Sequence, residues 1–190
     1  MSGNDHHDLE KAPDPFLVLG LAVVVYGALV VAALLWLWCR GRTHAIAEMS
    51  IGRFGPLVAS GVGLAIGVTF AAAHGWARRV LRGDNKLQAN IERMFARWDE
   101  RVGIAFAILA AFAEELFFRL AAQDAVGLTG SVTIYVLLNM RAVGLRWTMF
   151  TFSHAVALGG LVELGCGLVG STSAHAVFNY LSLRRIHRSC

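Results

Sequence analysis

The stretch that decides the fold is an uninterrupted apolar run, FLVLGLAVVVYGALVVAALLWLWC, from Phe16 to Cys39. As an α-helix its 24 residues would extend ~36 Å, more than the ~30 Å of a bilayer's hydrocarbon core. Trp36 and Trp38 lie near its end, where interfacial aromatic residues are common, and Arg40 follows directly. The run therefore predicts a membrane-spanning helix.

The rest of the chain is also apolar. Of its 190 residues 56% are hydrophobic and only 16% are charged, and the mean hydropathy is +0.57. Soluble domains carry about 25% charged residues, and disordered chains are far less hydrophobic, so both classes are excluded. The net charge of +4 comes from arginines at the ends of apolar runs. This placement is typical of membrane-flanking charge, so we expect a lipid bilayer as partner and no nucleic acid.

The order of apolar and polar segments predicts an all-α, polytopic integral membrane helix bundle, because backbone groups in lipid must be satisfied internally. Three regions are expected: a flexible polar tail over 1–15, two membrane spans with a basic amphipathic segment over 16–101, and a helical core over 102–186. About six membrane-embedded helices are expected, at Phe16–Cys39, Phe54–Ala77, Val102–Val126, Leu128–Met140, Trp147–Leu161 and Thr172–Leu183, with a glycine-broken turn or partial helix at Leu164–Gly170.

The segment Arg78–Arg101 is polar and positive, yet it carries apolar residues at helical spacing. This pattern predicts an interfacial amphipathic helix lying on the membrane surface. The alternative is a helix that packs on the protein outside the membrane. The apolar residues are Leu87, Ile91, Met94, Phe95 and Trp98.

The second predicted span is rich in glycine and alanine. Gly63 and Gly67 form a GxxxG pair within it. Small residues at this spacing let a neighbouring helix approach closely. We therefore expect another helix to pack against this face.

Three charged residues, Glu114, Glu115 and Arg119, lie 13 to 18 residues into the third predicted span, ~19–27 Å along its axis. Each costs about 2.5–3.5 kcal/mol at this depth. Glu115 and Arg119 share a helix face and can form an ion pair, whereas Glu114 points ~100° away. A carboxylate in a low-dielectric site suits general acid–base chemistry; the alternative is a structural polar clamp between helices. Gln123 and Asp124, one turn later, are candidates for lining a substrate path.

Two further apolar helices carry polar side chains. His154 ends the sequence FTFSH, with Phe150 on the same helix face. His175 and Asn179 are spaced i, i+4 and share a face, where together they can donate hydrogen bonds to an oxyanion. Taken singly, His154 could instead bond a backbone carbonyl, and the His175 pair could form a polar contact between helices.

Taken together, these residues indicate a site. Lipid offers no hydrogen-bond partners, so polar groups on three apolar helices should converge. A carboxylate base, an orienting group and oxyanion donors around a water molecule are what amide-bond hydrolysis requires. The sequence therefore favours a membrane-embedded hydrolase.

The motifs resemble those of one family. EELFFR at Glu114–Arg119 resembles the EExxxR motif of the CPBP family of intramembrane glutamic proteases, which contains CAAX prenyl proteases and bacteriocin-processing (Abi) enzymes. FTFSH at Phe150–His154 and HAVFN at His175–Asn179 are similar to the family's FxxxH and HxxxN motifs. The resemblance covers roughly residues 102–185, and small size and composition suggest a myxosortase-like bacterial member.

The resemblance implies an intramembrane endopeptidase and assigns the catalytic roles. Glu114 would activate a water molecule with the help of His154. His175 and Asn179 would stabilise the tetrahedral oxyanion. No covalent intermediate and no cofactor are implied.

The resemblance also implies supporting residues and a setting. Glu115 and Arg119 would hold the site, and Phe150 belongs to the second motif. The partner would be a membrane-anchored protein or peptide, cut at a C-terminal anchor, a leader or a CAAX-type tail. The location would be the bacterial inner (cytoplasmic) membrane.

Three other functions are compatible with parts of the pattern. A zinc-dependent membrane protease could use a glutamate and the two histidines as ligands, although the HExxH signature is absent. A non-enzymatic scaffold or immunity protein could retain the same fold. A transporter with a proton-relay glutamate would be expected to show internal repeats, and the sequence has none.

Overall fold

In a computed structural model the chain is described at residues 14–80, 98, 100–140 and 145–187, and within those residues all regular structure is helical. The predicted all-α class is thereby confirmed. Most of the predicted tail and of the amphipathic segment lies outside the described residues. The helices are α1 Pro15–Cys39, α2 Ala45–Ile51, α3 Gly55–Val80, α4 Glu100–Glu115, α5 Gln123–Met140, α6 Leu145–Leu161 and α7 Gly167–His187, with π-helical segments at Leu116–Ala122 and Val162–Cys166.

Within the described residues, three helical segments are long and apolar enough to cross a membrane: Phe16–Cys39, Gly55–Ala77 and Thr148–Arg185. Their large apolar side chains, such as those of Leu21 and Leu57, are exposed on the outside of the bundle. Residues that face outward and are apolar are suited to lipid rather than to water. The described chain is therefore a helical bundle of the membrane type.

The third of these segments folds back on itself as a hairpin. Gly165 and Gly167 have φ values of 94° and 61°, a left-handed backbone that glycine adopts at little cost. In a continuous helix His154 and His175 would lie ~31 Å apart, but their ring centroids are 5.3 Å apart. The predicted glycine turn is thus confirmed, and α6 and α7 are antiparallel neighbours.

Helix α7 begins at Gly167, earlier than the predicted start at Thr172. The glycine turn closes within a few residues, so the next helix starts immediately after it. The buried Ser171 hydroxyl is accommodated in the helix because it donates a 3.2 Å hydrogen bond to the Leu168 carbonyl. The predicted start of the helix at Thr172, directly after this serine, is therefore wrong, and the helix continues through Ser171.

A second glycine break separates the predicted third and fourth helices. Gly127 has φ 72° and ψ 176°, so the backbone is not helical at this residue and α5 is broken into two parts there. This agrees with the predicted boundary between Val126 and Leu128. The first π-helical segment, Leu116–Ala122, lies between α4 and α5 and was not predicted.

Helices α3 and α7 pack closely through glycine. A methyl group at Gly63 would collide with the carbonyl oxygen of Gly170, and one at Gly67 with that of Ala174. The GxxxG pair therefore serves a contact within this chain, as expected for small residues in packed membrane helices. This contact fixes α7, and with it His175, against α3.

We expect Gly67→Leu to disrupt this contact. The side chain would enter the space of Ala174 and Val177, and overpacking typically costs about 1–3 kcal/mol. The measurement is the thermal unfolding midpoint of the purified chain in detergent. Gly61→Leu is the matched control, because nothing lies within 4 Å of a Cβ at Gly61; equal midpoints for the two variants would contradict the packing argument.

One end of α1 is tied to the start of α5 by ion pairs. Arg40 Nη1 lies 2.7 Å from Asp124 Oδ2, and Arg42 Nη2 lies 2.6 Å from Asp124 Oδ1. The hydrogen bonds from Arg42 hold the pKa of the Asp124 carboxyl below its usual range. Asp124 was expected to line a substrate path; its carboxylate is instead occupied in joining two helices.

Candidate active site

The centre of the site is a buried ion pair. Arg119 Nε lies 3.5 Å from Glu115 Oε2, and the two side chains are 0% and 1% exposed. Arg119 also donates a 3.3 Å hydrogen bond from Nη1 to Ser131 Oγ. Its guanidinium lies 5.7 Å from the centre of the Tyr135 ring. The predicted i, i+4 pair is therefore present, and both charges are enclosed by protein.

His175 connects this pair to the second carboxylate. Its Nδ1 lies 2.8 Å from Glu115 Oε1, and its Nε2 lies 3.8 Å from Glu114 Oε2. With Glu115 ionised beside Arg119, Nδ1 is the donor to it, which fixes the plane of the ring. The histidine of α7 is thus directed by one glutamate towards the other.

Glu114 differs from Glu115 in its surroundings. Its side chain is 21% exposed, and its other contacts are long hydrogen bonds. The Tyr26 hydroxyl of α1 donates to Oε1 over 3.4 Å, and the Tyr135 hydroxyl of α5 donates to Oε2 over 3.3 Å. Glu114 therefore retains room for a further partner, whereas Glu115 is enclosed.

Both tyrosines were missed by the sequence reasoning. Tyr26 is the one hydroxyl-bearing residue inside the apolar run Phe16–Cys39. A single hydroxyl in the middle of a predicted span indicates a hydrogen-bond partner on another helix, because lipid offers none. Tyr135 has the same character within Leu128–Met140 but is accompanied there by other polar residues.

His154 lies next to His175 in a ring of aromatic side chains. It is 3% exposed, and the two imidazoles are nearly perpendicular at 85°. Phe150 stacks parallel to it at 6.3 Å, and Phe178 lies 4.5 Å away. No hydrogen bond joins its buried Nε2 to any described residue. The hydrogen bond from His154 to a backbone carbonyl, which was one of the expectations, is therefore not seen among the described residues.

Asn179 lies one helical turn beyond His175 on α7 and is half-buried. No hydrogen bond joins its amide to another residue in the described ranges. No hydrogen bond or ion pair joins His154 to Glu114 either. The structure thus brings Glu114, Glu115, Arg119 and His175 into direct contact, with His154 against the imidazole of His175, and leaves Asn179 unbonded.

The residues weighed as zinc ligands do not form a metal site in the structure. Within the described ranges, no group of three or more histidine, cysteine, aspartate or glutamate side chains is arranged so that it could hold a metal ion. The two nitrogens of His175 face Glu115 and Glu114.

The polar groups of α4, α6 and α7 therefore meet inside one apolar bundle, beside tyrosines from α1 and α5. No family model matches this chain, and no curated protein or solved structure matches it either. The resemblance to CPBP proteases consequently rests on the three motifs themselves. What the site does has to be argued from its chemistry.

Proposed function

We propose that this protein is an intramembrane endopeptidase in which Glu114 activates a water molecule. The observation that supports this most directly is the difference between the adjacent carboxylates. Both oxygens of Glu115 face cationic or donor groups, Arg119 and His175, at 3.5 and 2.8 Å. Glu114 is the more exposed of the two, and its oxygens lie 3.3 to 3.8 Å from their hydrogen-bond and ion-pair partners, Tyr26, Tyr135 and His175. A general base must reach a water molecule, and only Glu114 can.

In the proposed reaction the Glu114 carboxylate takes a proton from water, and the oxygen attacks the carbonyl carbon of a peptide bond. The carbonyl oxygen becomes an oxyanion, for which the unbonded amide of Asn179 and the Nε2–H of a protonated His175 are the donors, since His175 Nδ1 is bonded to Glu115. The carbon–nitrogen bond then breaks, and Glu114 returns its proton to the leaving amine. His154, whose Nε2 has no partner among the described residues, helps to orient the water.

The setting is proposed from the same features. About six helices would be embedded in the membrane, with the helix that carries the glutamates buried in the bundle. The substrate would be a membrane-anchored protein or peptide cut at a C-terminal anchor, a leader or a CAAX-type tail. The proposed location, a bacterial inner membrane, is supported by the resemblance to CPBP proteases alone.

The test is a comparison of protein termini in cell membranes with and without this chain, followed by cleavage of the affected segments by the purified chain in lipid vesicles. We expect a small set of membrane-anchored precursors to accumulate without the chain and the purified chain to cut them. A scaffold or immunity protein would leave all termini unchanged. Loss of cleavage in the presence of a zinc chelator, with recovery on adding zinc, would favour the metal-dependent alternative.

A further inference from the structure

The chain contains three tyrosines, and the structure assigns a role to two of them. We propose that Tyr26 and Tyr135 are positioning residues that clamp the Glu114 carboxylate from both sides. The proposal rests on the proposed endopeptidase function. It adds a contribution from α1, a helix that none of the recognised motifs covers.

The geometry is that of a two-sided clamp. One carboxylate oxygen accepts a hydrogen bond from Tyr26 at 3.4 Å and the other from Tyr135 at 3.3 Å. The donors come from two separate helices: α1 packs on α4 and α5 packs on α6, and both also contact the π-helical segment Leu116–Ala122. A carboxylate held at both oxygens by separate helices cannot rotate freely, so the direction in which it meets water is fixed.

The two halves of the clamp are supported differently. Tyr135 is buried, with its ring edge-on to Phe118 at 4.8 Å and beneath Arg119. Tyr26 is half-buried, and its ring meets Phe106 at 5.9 Å. Replacing either tyrosine with phenylalanine would keep the ring contacts and remove only the hydroxyl. These variants therefore isolate the hydrogen bond to Glu114.

The third tyrosine supplies a matched control. The Tyr180 hydroxyl also donates to a glutamate, Glu100, at the exposed start of α4. Glu100 is 14 residues before Glu114, ~21 Å along the helix. Tyr180→Phe thus removes the same kind of hydrogen bond from a carboxylate that is distant from Glu114.

The experiment measures kcat and KM for the full chain in vesicles, with a substrate segment identified as described above. We expect Tyr26→Phe and Tyr135→Phe each to lower kcat about 10-fold, the effect of losing one hydrogen bond to a charged group. KM should change less than about 2-fold, since the clamp acts on the base and not on substrate binding. Tyr180→Phe should change neither. Unaltered kcat in both site variants, or a change confined to KM, would overturn the proposal.

A second measurement separates the clamp from the function. Thermal unfolding is recorded for Tyr26→Phe in the native chain and in a Glu114→Ala background. If the hydroxyl acts on Glu114, Tyr26→Phe lowers the midpoint in the native chain and has no effect once the carboxylate is gone. This holds even if the wild-type chain cuts no segment, in which case the proposed function fails and the clamp stands. Equal changes of the unfolding midpoint in both backgrounds would show that the Tyr26 hydroxyl acts independently of Glu114 and would contradict the proposed clamp.

Discussion

Glu114→Gln is expected to slow cleavage about 1000-fold while leaving the fold intact, since general acid–base catalysis contributes about 10²–10⁴-fold. Glutamine keeps the shape of the side chain, and its single amide oxygen can still accept from one of the two tyrosines, so the packing around it survives. It cannot take a proton from water. The measurement is the single-turnover cleavage rate in vesicles at matched protein levels, with the unfolding midpoint recorded in parallel.

Glu163→Gln is the control for this prediction. Glu163 lies at the α6–α7 turn, where its Oε1 accepts a 2.8 Å hydrogen bond from Gln123. An amide oxygen can replace that acceptor, so the rate should stay within about 2-fold of wild type. Normal cleavage by Glu114→Gln would remove Glu114 from the chemistry and leave it a structural role. We would then favour the scaffold function.

Glu115→Ala is expected to cost about 3–5 kcal/mol of unfolding free energy, the typical effect of removing one partner of a buried ion pair. Arg119 is fully buried, and without Glu115 its charge would lack a counter-ion while His175 would lose its 2.8 Å partner. Low recovery of folded protein and a lower unfolding midpoint are the expected observations. The decrease in unfolding free energy should be much larger for Glu115→Ala than for Glu114→Gln.

An exposed ion pair provides the comparison. Arg184 Nε lies 3.7 Å from Glu100 Oε1, with side chains 44% and 59% exposed. Such pairs contribute about 0–1 kcal/mol, so Arg184→Ala should hardly change the unfolding midpoint. If Glu115→Ala lowered the unfolding midpoint as little as Arg184→Ala, other groups would have to compensate the buried charge of Arg119. The supporting role of Glu115 would then be wrong.

Much of the helical layout could be predicted from the sequence because membrane helices leave strong local signals. The apolar run Phe16–Cys39 gave α1 to within one residue. Gly127 and Gly165 mark real breaks, since only glycine adopts their positive φ at little cost. The π-helical segment Leu116–Ala122 was not predictable, because no local pattern distinguishes it from an α-helix. It shifts the phase of the helix directly after the two glutamates.

The site was predictable in part. The spacing of Glu115 and Arg119 fixes their shared face, so their ion pair followed from the sequence alone. Which carboxylate is enclosed depends on the neighbouring helices, and no pattern within α4 contains that information. The donors Tyr26 and Tyr135 come from distant parts of the chain, and their approach to Glu114 is a result of tertiary packing. The catalytic roles remain a prediction for the experiments above.

Under the proposed function, with the turn at a membrane surface, the glycine hairpin would set the depth at which a peptide bond is cut. Only 20 residues separate His154 from His175. The turn that joins their helices lies beside Arg53, whose backbone N–H donates a 2.7 Å hydrogen bond to the Gly165 carbonyl. The histidines sit 8 to 11 residues from the turn, ~12–16 Å along their helices, close to half of a ~30 Å hydrocarbon core. A substrate helix at that depth has its carbonyls bonded to its own amides, so it must unwind before water can attack. Under the proposed function, segments with glycine or proline at that level, where a helix opens most easily, would be the preferred substrates.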